Sequence, residues 1–156
     1  MIFCTFEKGY HASLRHVVVH ALVEKDGAIL LEKRAATIIE GGKWGMPSGF
    51  LSRDETAVGG VLRELKEETG WVGEVQGLFR INSRPDRPHE DRQNVAITFL
   101  VGAIQEEGKP DEESTEIRWF PIRDLPPLET LAFDHGETIG LYLKHKNFPL
   151  TLPLFD

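Results

Sequence analysis

Residues 52–70 constrain the fold most, because they spell a helix with both ends marked and three carboxylates beside its buried edge. Ser52-Arg53-Asp54-Glu55 has the form of a capping box, in which a hydroxyl and a carboxylate satisfy orphan amides at a helix start. Gly70 suits the left-handed position that closes a helix, so the spacing predicts a helix over 54–69. At 100° per residue, with Glu64 as zero, Glu67 falls at about 300° and Glu68 at about 40°. The three carboxylates share one sector of about 100°, and Val58, Val61, Leu62 and Leu65 form the adjoining apolar stripe. Like charges three and four positions apart repel, and beside a core face they call for a counter-charge. A hard divalent cation supplies one, since Mg2+ takes carboxylate and water oxygens and bridges to phosphates. A solvated acidic face on an ordinary amphipathic helix is the alternative that the helix alone leaves open.

The rest of the chain supplies a sheet. Residues 14–24 and 28–34 are rich in Val and Leu, and Asp26-Gly27 between them is a two-residue hairpin signal. Residues 71–81, 94–104 and 116–120 read as strands, the last halted by Pro121. Asp134-His135-Gly136-Glu137 repeats the capping-box pattern and opens a second helix to about residue 146. Strands and helices do not alternate regularly, which predicts an α/β (α+β) fold with helices packed on a mixed sheet, not a doubly wound parallel sheet. The 156 residues read as one domain, 1–156, and a hydrophobic share of 40% excludes disorder.

A net charge of −7 argues against a nucleic-acid polymer as partner but allows a small phosphate compound that arrives with metal. Cys4 is the one cysteine, which excludes an intramolecular disulfide and a cysteine zinc cluster. No apolar run approaches the roughly 20 residues of a membrane helix, so no membrane partner is expected. Residues 1–10 lack the basic and apolar regions of a signal peptide, and the cytoplasm is the expected compartment. The apolar stretch 2–6 offers a strand edge through which two copies could pair as a homodimer.

Gly49 and Glu55 stand six apart, and Arg63-Glu64-Leu65-Lys66-Glu67-Glu68-Thr69-Gly70-Trp71 begins eight positions later. This run, 49–71, resembles the Nudix box, the signature of the Nudix hydrolases, at all seven of its fixed identities. The preceding Trp44-Gly45-Met46-Pro47-Ser48 also resembles the family's approach to the box. Ser48, Trp71 and the mid-helix pair Gly59-Gly60 depart from it. Interior glycines cost about 0.8–1 kcal/mol each against alanine, and close packing of a strand on the helix is the expected reason for them.

The resemblance implies a Nudix-type α/β/α sandwich around a mixed sheet. It implies hydrolysis of a nucleoside diphosphate linked to another group, with Mg2+ or alternatively Mn2+. By the same resemblance Glu64, Glu67 and Glu68 are metal ligands, and Arg63 and Glu55 brace the helix. A carboxylate takes the proton from the attacking water. In the family this is a box glutamate or one on a distant loop. On the acidic loop 111–116, Glu113 aligns best with such a residue, and Glu112 and Glu116 are its alternatives.

The substrate is read from other segments. Ser83-Arg84-Pro85-Asp86-Arg87-Pro88 carries a proline 15 positions past Gly70, which is similar to ADP-ribose pyrophosphatases. Leu131-Ala132-Phe133-Asp134-His135 resembles the same subgroup. Arg84 and Arg87 are expected to contact phosphate or stack on a base, with Arg34 as a third substrate-binding cation. A rigid surface connection is the alternative for that loop. The expected reaction is ADP-ribose to AMP and ribose 5-phosphate. Hydrolysis of nucleoside triphosphates to pyrophosphate, or sensing of a nucleotide without cleavage, are the other readings. His16 and His20 flank a valine run and read as structural, whereas His89 beside Glu90 and Asp91 sits where it could touch substrate.

Overall fold

The computed structural model of the chain describes residues 2–87 and 93–156. In order it contains β1 (Ile2–Thr5), β2 (His11–Leu14), β3 (Val17–Lys25), β4 (Ala28–Arg34), β5 (Trp44–Gly45) and β6 (Ser48–Phe50). Then follow α1 (Ala57–Thr69), β7 (Trp71–Asn82), β8 (Val95–Glu106), β9 (Ser114–Pro121), α2 (His135–Asn147) and β10 (Leu154–Phe155). One mixed sheet runs β10-β7-β8-β3-β4-β5, with β6 added to β3 and β9 to β4. β3 lies parallel to β8, while β7 and β8 are antiparallel.

The period-two alternation of β3 explains the layers. Val19, Ala21 and Val23 pack with Val61 and Leu65 of α1. Leu22 joins Phe79, Leu131 and Ile139 in a separate cluster on the α2 side. Each fully buried Val or Leu contributes about 1.5–3 kcal/mol, so the two clusters hold a helix to each face. This is the expected α/β/α sandwich. The Asp26-Gly27 turn forms as the sequence predicts, with φ of 51° and 76° and Lys25 paired to Ala28. Among the described residues, no helix is long and apolar enough to cross a membrane.

The predicted start of the first helix needs correction, whereas the second opens at His135 as predicted but without a side-chain cap. α1 begins at Ala57, not Asp54, and its N-cap is Thr56, whose Oγ1 accepts from Gly59 N at 3.0 Å. Glu55 does accept from Ser52 N at 2.7 Å, but its carboxylate is taken up by Arg63. Asp134 precedes α2 without capping it, because its carboxylate is bound by Arg87 and Asn82. Hydrogen bonds between opposite charges are about twice as strong as neutral ones, so at Asp134 the ion pair wins over the cap, whereas Glu55 keeps both partners. The two mid-helix glycines are also explained differently from the expectation. A Cβ on Gly60 would lie 3.0 Å from the Glu55 carboxylate and 3.2 Å from Leu51, so the close neighbour is the entering loop and not a strand. β1 pairs with β2 of its own chain in a separate two-stranded sheet.

Candidate active site

The acidic edge of α1 lies under β6. A Cβ on Gly49 would sit 2.2 Å from the Glu64 carboxylate, so only glycine leaves room for that acid. Ser48 N donates to Glu68 Oε2 at 2.6 Å. Glu68 is only 3% exposed. Burial first, and the neighbouring Glu32 carboxylate next, raise its carboxyl well above the usual range. Glu32, on β4, is 1% exposed, and burial pushes its pKa up to about 7. It accepts from Ser114 Oγ at 2.7 Å and faces Arg34 Nη1 at 3.4 Å. Burial raises Glu64 as well, against the opposing bond from Arg63.

Arg63 organises the exposed side of this cluster. Its guanidinium donates to Glu55 at 3.0 and 2.7 Å, to Glu64 at 2.8 Å, to Glu67 at 2.8 Å and to Phe50 O at 3.2 Å. That pairing, with Ser52 N, lowers Glu55 to about 2. Among the described residues, no three His, Cys, Asp or Glu side chains are gathered around one point as a ready ligand set. Arg63 instead holds the oxygens of Glu64 and Glu67. The donors fit a divalent cation by their chemistry: all are carboxylate oxygens, and the buried Glu68 and Glu32 lie beside the partly buried Glu64, where burial and mutual repulsion leave room for a counter-charge.

A cavity of 370 Å³ adjoins the cluster, with Gly49, Arg34 and Glu113 in its lining. Glu113 lies near enough to Glu64 to disfavour its ionised form. Its backbone is pinned by Ala35 N to Glu113 O at 2.7 Å and by Glu113 N to Asp111 Oδ1 at 2.9 Å. Glu112 is exposed, and Glu116 pairs with Arg118. Arg34 stands over the Phe133 ring at 5.1 Å, inside the cavity.

The two loop arginines behave otherwise. Arg84 Nη1 and Nη2 reach Glu137 at 3.1 and 2.9 Å, away from this cavity. Arg87 borders the cavity but is spent on Asp134, through Nε at 2.7 Å and Nη2 at 2.8 Å, and on Asn94 O at 2.8 Å. Burial by itself would raise the Asp134 carboxyl, yet the Arg87 guanidinium overrides it and holds it far below the usual range. Pro88 and His89 lie outside the described residues.

Residues 13–142 match the NUDIX domain family. The chain belongs to the Nudix hydrolases. It is 37% identical over 131 residues to the ADP-ribose pyrophosphatase of Methanocaldococcus jannaschii, covering 84% of this chain and 75% of that protein. Phosphatase NudJ of Escherichia coli O1:K1 / APEC is 36% identical over 144 residues, 88% of this chain and 89% of that protein. A NUDIX hydrolase structure from Nitrosomonas europaea matches with a TM-score of 0.78 at 27% identity, over 96% of this chain and 81% of that one. A bifunctional NMN adenylyltransferase/ADP ribose pyrophosphatase from Francisella tularensis, complexed with AMP and a Mn ion, shares the fold at a TM-score of 0.60 and 21% identity. That match covers 85% of this chain and 42% of that one. Nudix hydrolases generally use divalent metal ions.

Reading the Nudix box by itself missed Glu32, which lies outside it. The signal was present: a carboxylate following Ile29-Leu30-Leu31 in an apolar strand is a buried polar group that must have partners. The buried histidines outside the box also carry a measurable consequence. Burial is the main force that lowers His20 from 6.5 to about 4, and it lowers His135 well below 6.5. The unfolded chain therefore binds these protons before the folded one does. The contribution of the neutral rings to stability is complete above pH 6.5 and is lost as the pH falls towards 4, by on the order of 3 kcal/mol from His20 alone. Denaturant titrations of the parent and of His20→Leu at successive pH values isolate this contribution, and identical slopes for the two between pH 6.5 and 5 would contradict the buried neutral state.

Proposed function

We propose that the chain is a Mg2+- or Mn2+-dependent pyrophosphohydrolase that cleaves ADP-ribose to AMP and ribose 5-phosphate. The observation that carries this reading is the cavity of 370 Å³ beside the buried carboxylates, walled by apolar and aromatic side chains and holding Arg34. Small-molecule sites have this character and run from roughly 300 to 1,000 Å³. The resemblance to the M. jannaschii ADP-ribose pyrophosphatase supports the substrate.

A diphosphate carries dense negative charge and repels an attacking oxygen. When bound by Glu64, Glu67 and Glu68, a divalent cation supplies charge neutralisation and a lowered pKa for bound water. Arg63 holds the Glu64 and Glu67 oxygens in fixed positions along α1. Arg34, in the cavity, meets phosphate oxygens with its planar fork. Glu113 accepts the proton as water attacks phosphorus, a new P–O bond forms and the anhydride P–O bond breaks. Glu113→Gln is expected to slow turnover by more than about tenfold with little change in KM, the pattern of a lost proton acceptor. An unchanged kcat would move the role to Glu112, Glu116 or a box carboxylate.

Product analysis tests the reading as a whole. AMP plus ribose 5-phosphate from ADP-ribose supports it. The 28% identity over 144 residues to a protein named an 8-oxo-dGDP phosphatase favours a second reading, a nucleotide substrate without the second sugar. No cleavage of ADP-ribose, with monophosphate and pyrophosphate released from nucleoside triphosphates, would establish that one instead.

A further inference from the structure

Two buried histidines take no part in the reaction just described. His20 of β3 and His135 at the start of α2 meet edge to face, with ring centroids 4.7 Å apart at 67°. Both line the cavity. The Met46 backbone N–H donates to His135 Nδ1 at 3.0 Å. An N–H can only donate, so Nδ1 is bare and the neutral ring carries its proton on Nε2. Burial keeps both rings neutral. The His135 ring is also clamped, because a Cβ on Gly45 would come within 2.9 Å of Nδ1. His20 Nδ1 is buried without a hydrogen-bond partner among the described residues. Such atoms are rare and costly, so one kept in a cavity wall calls for a ligand.

The cavity around them suits an uncharged group. Val18, Ile38 and Ile39 are among its apolar walls. Phe133 is held there at φ 50°, a strained conformation for a bulky residue and one that persists where function requires it. Arg34 already stands over the Phe133 ring, and His16 lies 4.9 Å from Phe50. Hydrogen bonding, more than stacking, is the recognition left to the imidazoles.

We propose that His20 and His135 form a hydrogen-bonding floor that binds ribose hydroxyls of the substrate and so determines its specificity. A hydroxyl can both donate and accept, so it suits His135 Nε2–H as a donor and His20 Nδ1 in either tautomer. A phosphate would be drawn to Arg34 instead. The inference rests on the ADP-ribose reading, in which each half of the substrate carries a ribose.

His20→Leu removes the orphan nitrogen at similar volume, and His20→Asn returns a polar atom near the Nδ1 position. Parent and variants are titrated with AMP and with ribose 5-phosphate in the presence of Mg2+, and ADP-ribose hydrolysis is followed alongside. The Leu variant is expected to bind one of the two products about tenfold more weakly, as for a lost buried partner. KM for ADP-ribose should rise by a similar factor with kcat nearly kept. The Asn variant should recover most of the loss. His20→Phe repeats the measurement if the Leu variant fails to fold.

Weaker ribose 5-phosphate binding assigns the floor to the terminal ribose. Weaker AMP binding assigns it to the adenosine ribose, and 2′,3′-dideoxy-AMP should then bind parent and variant alike. If the dideoxy compound loses as much as AMP, the rings read the base and the proposal is overturned. Unchanged affinity for both products also overturns it. A parent that binds products but does not cleave ADP-ribose sinks the substrate reading, while the product affinities still decide the role of His20.

Discussion

Glu68→Gln should remove nearly all hydrolytic activity, by about 100-fold or more, the upper end of what perturbing a metal's ligand shell costs. The same variant should be at least as stable as the parent at neutral pH without metal. Both effects come from one carboxylate buried beside Glu32 and Glu64. Its folded pKa lies well above the 4.5 of a free glutamate, so the native state keeps a proton that the unfolded state has released. Stability therefore falls as the pH rises from about 4.5 through the folded pKa, and an uncharged amide escapes that loss. The Ser48 N–H can still donate to the amide oxygen, so the local fold survives. Thermal melts from pH 5 to 8, with and without Mg2+, and a turnover assay test this together. Mg2+ should stabilise the parent more than the variant. Near-normal turnover with ordinary Mg2+ dependence would refute the ligand role, and an unfolded variant would make Glu68 a structural residue.

Arg87→Ala is expected to cost about 3–5 kcal/mol of stability, the usual result of stripping one partner from a buried ion pair. The side chains of Arg87 and Asp134 are each 6% exposed and joined by two hydrogen bonds. Removing the guanidinium strands Asp134 as a buried charge and takes one of the donors from Asn94 O, which still accepts from Arg15 Nη2 at 3.3 Å. The sequence alone suggests a phosphate contact and hence a rise in KM for this residue. The geometry redirects the main effect to folding. Replacing both partners with apolar residues of similar volume should restore much of the loss, because no charge is then left alone. Denaturant unfolding of the two single variants and the double variant measures the coupling. A single variant within 1 kcal/mol of the parent would show that the pair is dispensable, far below the roughly 3 kcal/mol expected.

The motif 49–71 was legible because its chemistry is local. One helix turn sets the angle between Glu64, Glu67 and Glu68, and the αL position after the helix demands Gly70, at φ 75°. The Asp26-Gly27 turn and the alternation of β3 were readable for the same reason: each depends on residues within a few positions. Caps were misread where a distant opposite charge competed for the capping side chain. Arg87 draws Asp134 across 47 positions, while Arg63, eight residues beyond Glu55, shares that carboxylate with Ser52 N and the helix itself is capped later, at Thr56. No window of sequence shows which of two possible partners a carboxylate will choose.

What the sequence determined by itself was the helix with its acids, the hairpin, the mixed sheet and the Nudix reaction class, since periodicity, turn chemistry and motif spacing act along the chain. The tertiary structure decided which charges stay free. It set Glu32 of β4 against Glu68 of α1 and brought Arg34 and Glu113 to one cavity. It consumed Arg84 and Arg87 in ion pairs and placed His20 and His135 ring to ring across 115 positions. These outcomes depend on how β3, β4, β9 and the two helices stack, and burial then shifts the ionisation of each group that the stacking encloses.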